Sequence, residues 1–140
     1  MRPFDKLRAN DLEITRELLD RLLSEAEAAH PRECCGILLG EGEAIRAVMP
    51  AANVHPTPGT HFEIDPQALV TAHREAREGG ARVLGYYHSH PNGLARPSST
   101  DEAMATGQGL VWAIIAAGCV TFWREGDARF AALHYDITPR

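Results

Sequence analysis

Apolar and charged positions alternate with helical spacing in the segment that follows Thr15. Charged residues occupy one face, and the apolar stripe on the other consists of Ile14, Leu18, Leu19, Leu22, Leu23 and Ala26. Thr15 is a favourable helix N-cap. A residue before proline disfavours helical backbone, so His30 and Pro31 mark the end. The pattern predicts an amphipathic helix to about Ala29, whose charged face is solvated surface and not a binding site.

Two further helices are indicated by their capping residues. Asp65 is an N-cap with Pro66 at the first helical position, and this helix reaches about Glu78 before Gly79 and Gly80 end it. We expect its inward face to carry Leu69, Val70, His73 and Ala76. A shorter helix over about residues 99–106 ends before a glycine-rich break at residues 107–109.

β-branched and aromatic runs between turn residues predict the strands. They cover residues 12–14 (a short edge strand), 33–39, 44–49, 61–64, 82–90, 110–116, 120–124 and 129–136. A turn at residues 40–42 joins the second and third strands as a hairpin. The proline-rich residues 50–61 form a loop, which is long enough to be functional. His55 and His61 in this loop are candidates for lining a groove, and Asn53 and Phe62, which flank it, are candidates for contact with a substrate.

Helices alternate with strands early in the chain, and strands follow one another late. That order predicts an α/β fold with a mixed β-sheet flanked by helices. A chain of 140 residues is one domain on length alone. We therefore expect a single domain over residues 12–140, preceded by a loose polar tail at residues 1–11.

Composition narrows the class of partner. The net charge is −5. Because binding to nucleic acid requires a basic face, nucleic acid is not expected as the main partner. No apolar run reaches 18 residues, so no membrane span is expected, and the N-terminus lacks the apolar segment of a signal peptide. Cys34, Cys35 and Cys119 form neither a disulfide framework nor a cysteine-type zinc site. These features favour a cytoplasmic protein. They do not indicate an oligomeric state.

Candidate chemistry lies at the end of the strand over residues 82–90. Side chains alternate along a strand, so His88 and His90 share one face and Ser89 has the other. A turn at residues 91–93 places the pair at the strand's end, and Asp101 can supply a third ligand from the first turn of the next helix. Two histidines and a carboxylate, with a fourth position left to water, are the ligands of a catalytic zinc site.

The order His88-Ser89-His90, then Ser98, then Asp101 resembles the signature of the JAMM (MPN-plus) metallopeptidases. The family also has a glutamate at the start of a glycine-containing strand, and Glu33 stands at that position before Cys34, Cys35 and Gly36. The resemblance covers about residues 12–135. It implies a JAMM/MPN architecture, which is like that of the cytidine deaminases.

The resemblance also implies a role for each of these residues. His88, His90 and Asp101 would bind Zn²⁺, Glu33 would be the general base toward zinc-bound water, and Ser98 would stabilise the oxyanion. The implied activity is that of a prokaryotic, deubiquitinase-like isopeptidase. Its implied substrates are amide bonds that follow the C-terminal Gly-Gly tail of a ubiquitin-like or sulfur-carrier protein.

Each of these residues also has an alternative interpretation in which its role is purely structural. Ser98 with Asp101 is a capping box, and so is Ser99 with Glu102. We expect Ser99 and Glu102 to cap the helix, which leaves Ser98 and Asp101 for the site. Glu33 alone would be an ordinary surface carboxylate. Cys34 would be a nucleophile only if paired with an activating histidine, and the sequence indicates none.

Three other classes of protein are alternatives. The first is a non-catalytic MPN binding scaffold, but such domains lose the ligands that this chain keeps. The second is the RadC-like branch, which carries an additional helix-hairpin-helix region for which the 87 residues before His88 leave no room. The third is a nucleoside-deaminase-like zinc enzyme, whose His-x-Glu and Pro-Cys-x-x-Cys motifs are absent.

Overall fold

A computed structural model describes residues 12–127 and 129–139, and the predicted tail at residues 1–11 lies outside them. Three helices and eight strands follow one another along these described residues. The helices are α1 (Arg16–Ala29), α2 (Pro66–Arg77) and α3 (Ser99–Met104). The strands are β1 (Leu12–Thr15), β2 (Cys35–Glu41), β3 (Ala44–Ala51), β4 (Arg82–Ser89), β5 (Val111–Ala116), β6 (Cys119–Glu125), β7 (Phe130–Leu133) and β8 (Tyr135–Thr138).

One mixed sheet contains all eight strands, in the order β7-β6-β5-β4-β2-β3-β1-β8. Strand β4 pairs antiparallel with β2 and parallel with β5 at the centre of the sheet. Gly85 permits this close pairing, because a β-carbon there would lie 1.7 Å from the carbonyl oxygen of Val111. The predicted α/β class with a mixed sheet is confirmed, and β4 has a paired neighbour on each side.

Helices α1 and α2 cover opposite faces of the sheet. On one face, Leu18, Leu19 and Leu22 of α1 pack with Tyr87 and Phe122 in the larger apolar core. The smaller core on the other face contains Ala72 of α2. It also contains Cys35, Ile37, Phe62, Ile64, Trp112 and Phe130. Because side chains alternate along β4, Tyr87 faces the first core and His88 the second.

The final predicted strand is wrong, because residues 129–136 form two strands at opposite edges of the sheet. Strand β7 pairs with β6, whereas β8 pairs with β1, and only His134 separates them. The chain can pass from one edge to the other there because the sheet curls until its edges approach. His134 lies at this junction, where its carbonyl accepts a hydrogen bond from the Leu12 amide (3.1 Å). Strand β1 is consequently internal to the sheet and not an edge strand.

Smaller corrections concern α2 and two short segments. Leu69 lies on the inner face of α2 as predicted, where Ala68 and Ala72 join it, and Ala76 is partly buried. Val70 and His73 are exposed, so their predicted inward positions are wrong. The predicted strand over residues 61–64 is reduced to one bridge between Ile64 and Asn53. The hairpin turn lies at residues 42–43, since β2 continues to Glu41.

A buried carboxylate organises the connection between α3 and β5. Glu125 accepts hydrogen bonds from the Thr106 amide and hydroxyl, the Gln108 and Leu110 amides and the Trp112 indole, at 2.7–3.3 Å. Burial alone would raise the pKa of Glu125, but these donors outweigh it and lower the pKa. The carboxylate therefore stays ionised and accepts from five donors, of which the bond from the Trp112 indole is buried and the other four are partly buried.

Within the part of the chain that the structure describes, no helix is long and apolar enough to cross a membrane.

Replacing Glu125 with alanine should lower the free energy of unfolding by at least ~2 kcal/mol, because the buried indole of Trp112 and four partly buried donors lose their acceptor at once. Urea-induced unfolding measures this loss. The matched control is Glu43→Ala, which removes a half-exposed ion pair with Arg124 (2.7 Å) and should cost less than ~1 kcal/mol. Equal losses for the two variants would contradict the organising role of Glu125.

Candidate metal centre

The end of β4 fixes the backbone of both histidines. His88 is paired with Cys35 of β2 on one side and Ile114 of β5 on the other. The His90 amide donates to the carbonyl of Ile115 (2.9 Å), although His90 lies just beyond the strand. The two imidazoles therefore project from one face of a strand that is held on both sides.

Asp101 reaches the histidines from the first turn of α3. Ser98 is the N-cap of this helix, its hydroxyl accepting from the Asp101 amide (3.0 Å) while the Asp101 carboxylate accepts from the Ser98 amide (2.9 Å). The expectation that Ser99 and Glu102 would form the capping box is thus wrong. Ser98 and Asp101 do so themselves, and the cap fixes the Asp101 side chain where it meets the histidines.

Four donor atoms converge between β4 and α3. The Nε2 atoms of His88 and His90 lie 3.0 Å apart, and each lies 3.0–3.1 Å from a carboxylate oxygen of Asp101. Ligands about 2.05 Å from a tetrahedral metal ion would lie about 3.3 Å from one another. The separations therefore fit three side chains that share one cation. Among the described residues, the buried His88, His90 and Asp101 form the group that could hold a metal ion.

Charge in this cluster favours a bound cation. Burial alone would raise the pKa of Asp101, but hydrogen bonds with His88 and His90 outweigh it and hold the pKa well below its usual range. Burial lowers the pKa of His88 more than Asp101 raises it, so its imidazole tends to be neutral. Asp101 raises the pKa of His90 against the effect of burial. A buried carboxylate beside two imidazoles needs a positive charge, either a proton or a metal ion.

The second nitrogen of each imidazole has a different environment. His90 donates through Nδ1 to the carbonyl of Leu94 (2.7 Å), which leaves its Nε2 lone pair free for a ligand. His88 Nδ1 is buried and has no hydrogen-bond partner among the described residues. Its ring is instead stacked on Phe62, with centroids 4.3 Å apart, and meets the edge of Trp112. Aromatic packing thus orients His88, whereas a hydrogen bond orients His90.

A small cleft of about 100 Å³ opens beside His90. Glu33 and Ser98 both line it, so the two other predicted site residues meet the cluster at one place. The remaining lining residues are Gly59, Thr60, Pro91 and Asn92. Glu33 is 6% exposed, and burial raises its pKa to about 7, with His90 opposing and Asp101 adding to the rise. Such a carboxyl group can exchange a proton near neutral pH.

The long loop contributes to this site differently from the prediction. Gly59 and Thr60 line the cleft, whereas Phe62 is buried beneath His88 and Asn53 bonds to backbone groups. His55 and His61 stack on each other, 4.6 Å between centroids. The sequence offered only the length of the loop as a signal for Gly59 and Thr60.

The adjacent cysteines Cys34 and Cys35 are unsuited to act as nucleophiles. Burial raises the pKa of Cys34 to about 11 and that of Cys35 to about 12. A thiolate, which is the reactive form, is therefore disfavoured at both positions. This agrees with the sequence, which indicated no activating histidine.

The model of one protein family, described as prokaryotic homologs of the JAB domain, matches residues 15–130. A desampylase of Haloferax volcanii is 33% identical over 109 residues, which are 74% of this chain and 78% of the relative. A probable TtuB-protein conjugate cleaving protease of Thermus thermophilus is 39% identical over 90 residues, covering 64% and 60%. The tail tip assembly protein K of Escherichia phage N15 is 30% identical over 114 residues, 81% of this chain; the chain spans only 42% of that relative's length.

Solved structures share this architecture. A protein from Desulfitobacterium hafniense superposes with a TM-score of 0.81 at 28% identity, covering 92% of this chain and 94% of the other. A structure described as the JAMM metalloprotease-like zinc site in the proteasome and signalosome superposes with a TM-score of 0.57 at 21% identity, covering 90% and 98%. The second likeness is one of fold alone.

Replacing Asp101 with asparagine should weaken zinc binding by at least about tenfold, because a ligand charge is lost. The amide oxygen can still accept from the Ser98 amide, so thermal stability should change little. Zinc affinity by chelator competition and thermal melting measure the two effects. Glu102→Gln, on the exposed side of the same helical turn, is the control and should retain zinc. A destabilised variant with unchanged zinc affinity would leave Asp101 only its capping role.

Proposed function

Because the chain belongs to the family of prokaryotic homologs of the JAB domain, we propose that it is a zinc metallopeptidase that hydrolyses amide bonds after the tails of ubiquitin-like proteins. One observation carries the proposal most strongly. A cluster suited to a metal ion and a glutamate with a pKa raised to about 7 lie at the same small cleft.

His88, His90 and Asp101 would hold the zinc ion. Two nitrogens and a carboxylate suit zinc, and a catalytic site keeps a further position open. When bound there, zinc supplies a Lewis acid that polarises a carbonyl group and lowers the pKa of water to about 7. The residues around the cleft then have to bind the substrate, move protons and stabilise the developing negative charge.

Glu33 is the proposed general base. It takes a proton from the attacking water and later gives it to the amine that leaves. A pKa of about 7 suits both steps, because the carboxylate is basic enough to accept the proton and acidic enough to release it. Its place in the lining of the cleft gives it access to the reacting groups.

Ser98 is the proposed donor to the oxyanion. Its hydroxyl oxygen accepts from the Asp101 amide, which uses a lone pair and leaves the hydroxyl proton free. A capping serine can thus donate to a substrate oxygen without giving up the cap. Removing a donor of this kind from an oxyanion site costs about 10²–10³ in kcat.

The proposed substrate class is supported by the relatives and by the shape of the cleft. The named relatives include a desampylase and a probable TtuB-protein conjugate cleaving protease. The cleft of about 100 Å³, which has Gly59 in its lining beside Glu33, His90 and Ser98, is small enough to favour a substrate segment without bulky side chains. A glycine tail, as in ubiquitin-like or sulfur-carrier proteins, meets that limit.

We place this activity in the cytoplasm. The three cysteines are free thiols in the structure, as is usual for proteins of a reducing compartment.

Glu33→Gln should leave zinc bound and lower kcat by roughly 10²–10⁴-fold, because the amide cannot accept a proton. Turnover is measured on a ubiquitin-like protein whose terminal Gly-Gly is joined by an amide bond to a fluorogenic amine. Ser98→Ala should be impaired as well, whereas Glu75→Gln, exposed on α2, should equal wild type. Zinc binding by a wild type that cleaves no such amide would favour the non-catalytic scaffold.

The pH dependence of kcat/KM should show an acid limb. Glu33 must be ionised to act as a base, and burial raises its pKa to about 7. A nearby cation lowers that pKa, so activity should decline as the pH falls through 7 or somewhat below it. The residual activity of Glu33→Gln should lack this limb. An identical limb in both proteins would assign the titration to another group.

A further inference from the structure

Asn53 joins the long loop to the residue proposed as the general base. Its Nδ2 donates to the carbonyls of Glu33 and His61, each at 3.0 Å. Its Oδ1 accepts from the amides of His55 (3.1 Å) and Glu63 (3.0 Å). A side-chain amide has two donors and two acceptor lone pairs, so every hydrogen-bonding position of Asn53 is used. Two carbonyls on one side and two amides on the other also fix which way its amide points.

Glu33 lies outside the sheet and depends on the loop for its backbone partners. Regular pairing of β2 begins at Cys35. The Glu33 amide donates to the Pro58 carbonyl (2.7 Å), and the Glu33 carbonyl accepts from Asn53. Both of its backbone polar groups are therefore bonded to residues 53–58 and neither to a strand. The next amide, that of Cys34, donates to the Ser89 hydroxyl (2.8 Å), which ties this segment to β4.

The Glu33 side chain has no such support. Its carboxylate accepts no hydrogen bond from any residue that the structure describes. His90 and Asp101 act on its pKa only through their charges. The direction of the side chain must then follow from its backbone position and from the packing around it. A shift of the backbone would move the carboxylate within the cleft.

We propose that Asn53 is a positioning residue for catalysis, an inference that rests on the proposed role of Glu33. Asn53 holds the Glu33 carbonyl and closes the loop whose Pro58 carbonyl holds the Glu33 amide. It thereby keeps the carboxylate directed into the cleft. Asn53 does not line that cleft, so its effect on the reaction passes through Glu33.

Asn53→Ala should lower kcat by roughly 10- to 100-fold, the scale expected from misplacing a catalytic group by about 1 Å. The zinc content and KM should change little, because His88, His90 and Asp101 are held by β4 and α3. The decisive comparison repeats the substitution in the Glu33→Gln protein. With the base already removed, Asn53→Ala should cost no further activity. An equal loss in both backgrounds would overturn the proposal, and so would a loss that follows zinc content.

A second measurement is independent of turnover. Amide hydrogen exchange at Glu33 should accelerate in Asn53→Ala relative to the amides of β4, because the loop that supplies its acceptor is released. The matched control is Asp65→Ala, which removes the α2 cap, a hydrogen bond to the Gln67 amide (3.1 Å). It should destabilise the protein without selective exchange at Glu33.

The two measurements separate the two proposals. Unchanged exchange at Glu33 in Asn53→Ala would overturn the role of Asn53, whatever the activity. A wild-type protein that binds zinc but is inactive would overturn the proposed reaction. Even then, faster exchange at the Glu33 amide in Asn53→Ala than in wild type would still support the role of Asn53 in holding Glu33.

Discussion

The carboxylate of Asp101 is the contact on which the site depends. It accepts from the Ser98 amide at the start of α3 and meets both Nε2 atoms at the end of β4. A carboxylate buried to this degree is costly unless it is paired. The two histidines lie at the end of β4, which is held by β2 and β5, and Ser98 begins α3, which Asp101 itself caps. The cost of burying Asp101 is thus offset only when β4 and α3 take this one relative position.

Several of these features could be predicted from the sequence because they are local. Alternation along β4 places His88 and His90 on one face, and Thr15 and Asp65 cap α1 and α2 as predicted. The capping box was predicted one residue too late, since Ser98 and Ser99 both satisfy the pattern. The passage from β7 to β8 at His134 was missed because strand propensity is continuous across it, and only the curl of the sheet determines the break.

Long-range contacts explain what the sequence left undetermined. Phe62 beneath His88 and the five donors around Glu125 are pairings between distant segments that no spacing rule encodes. They nevertheless converge on the metal cluster, because Trp112 donates to Glu125 and also packs against His88. The second face of the sheet thereby connects the loop after α3 to a proposed ligand. Orientation of His88 by packing, with no acceptor for Nδ1 among the residues that the structure describes, is the least predictable part of the site.

The way in which Glu33 is held bears directly on its chemistry. A donor to its carboxylate would fix the side chain, but it would also stabilise the charged form and lower the pKa. Glu125, which accepts five hydrogen bonds, shows that effect in this protein. Glu33 is instead held through its backbone by Asn53 and Pro58, and its pKa is raised to about 7 by burial. Restraint through the backbone therefore allows a carboxylate to be both positioned and basic, which a general base near neutral pH requires.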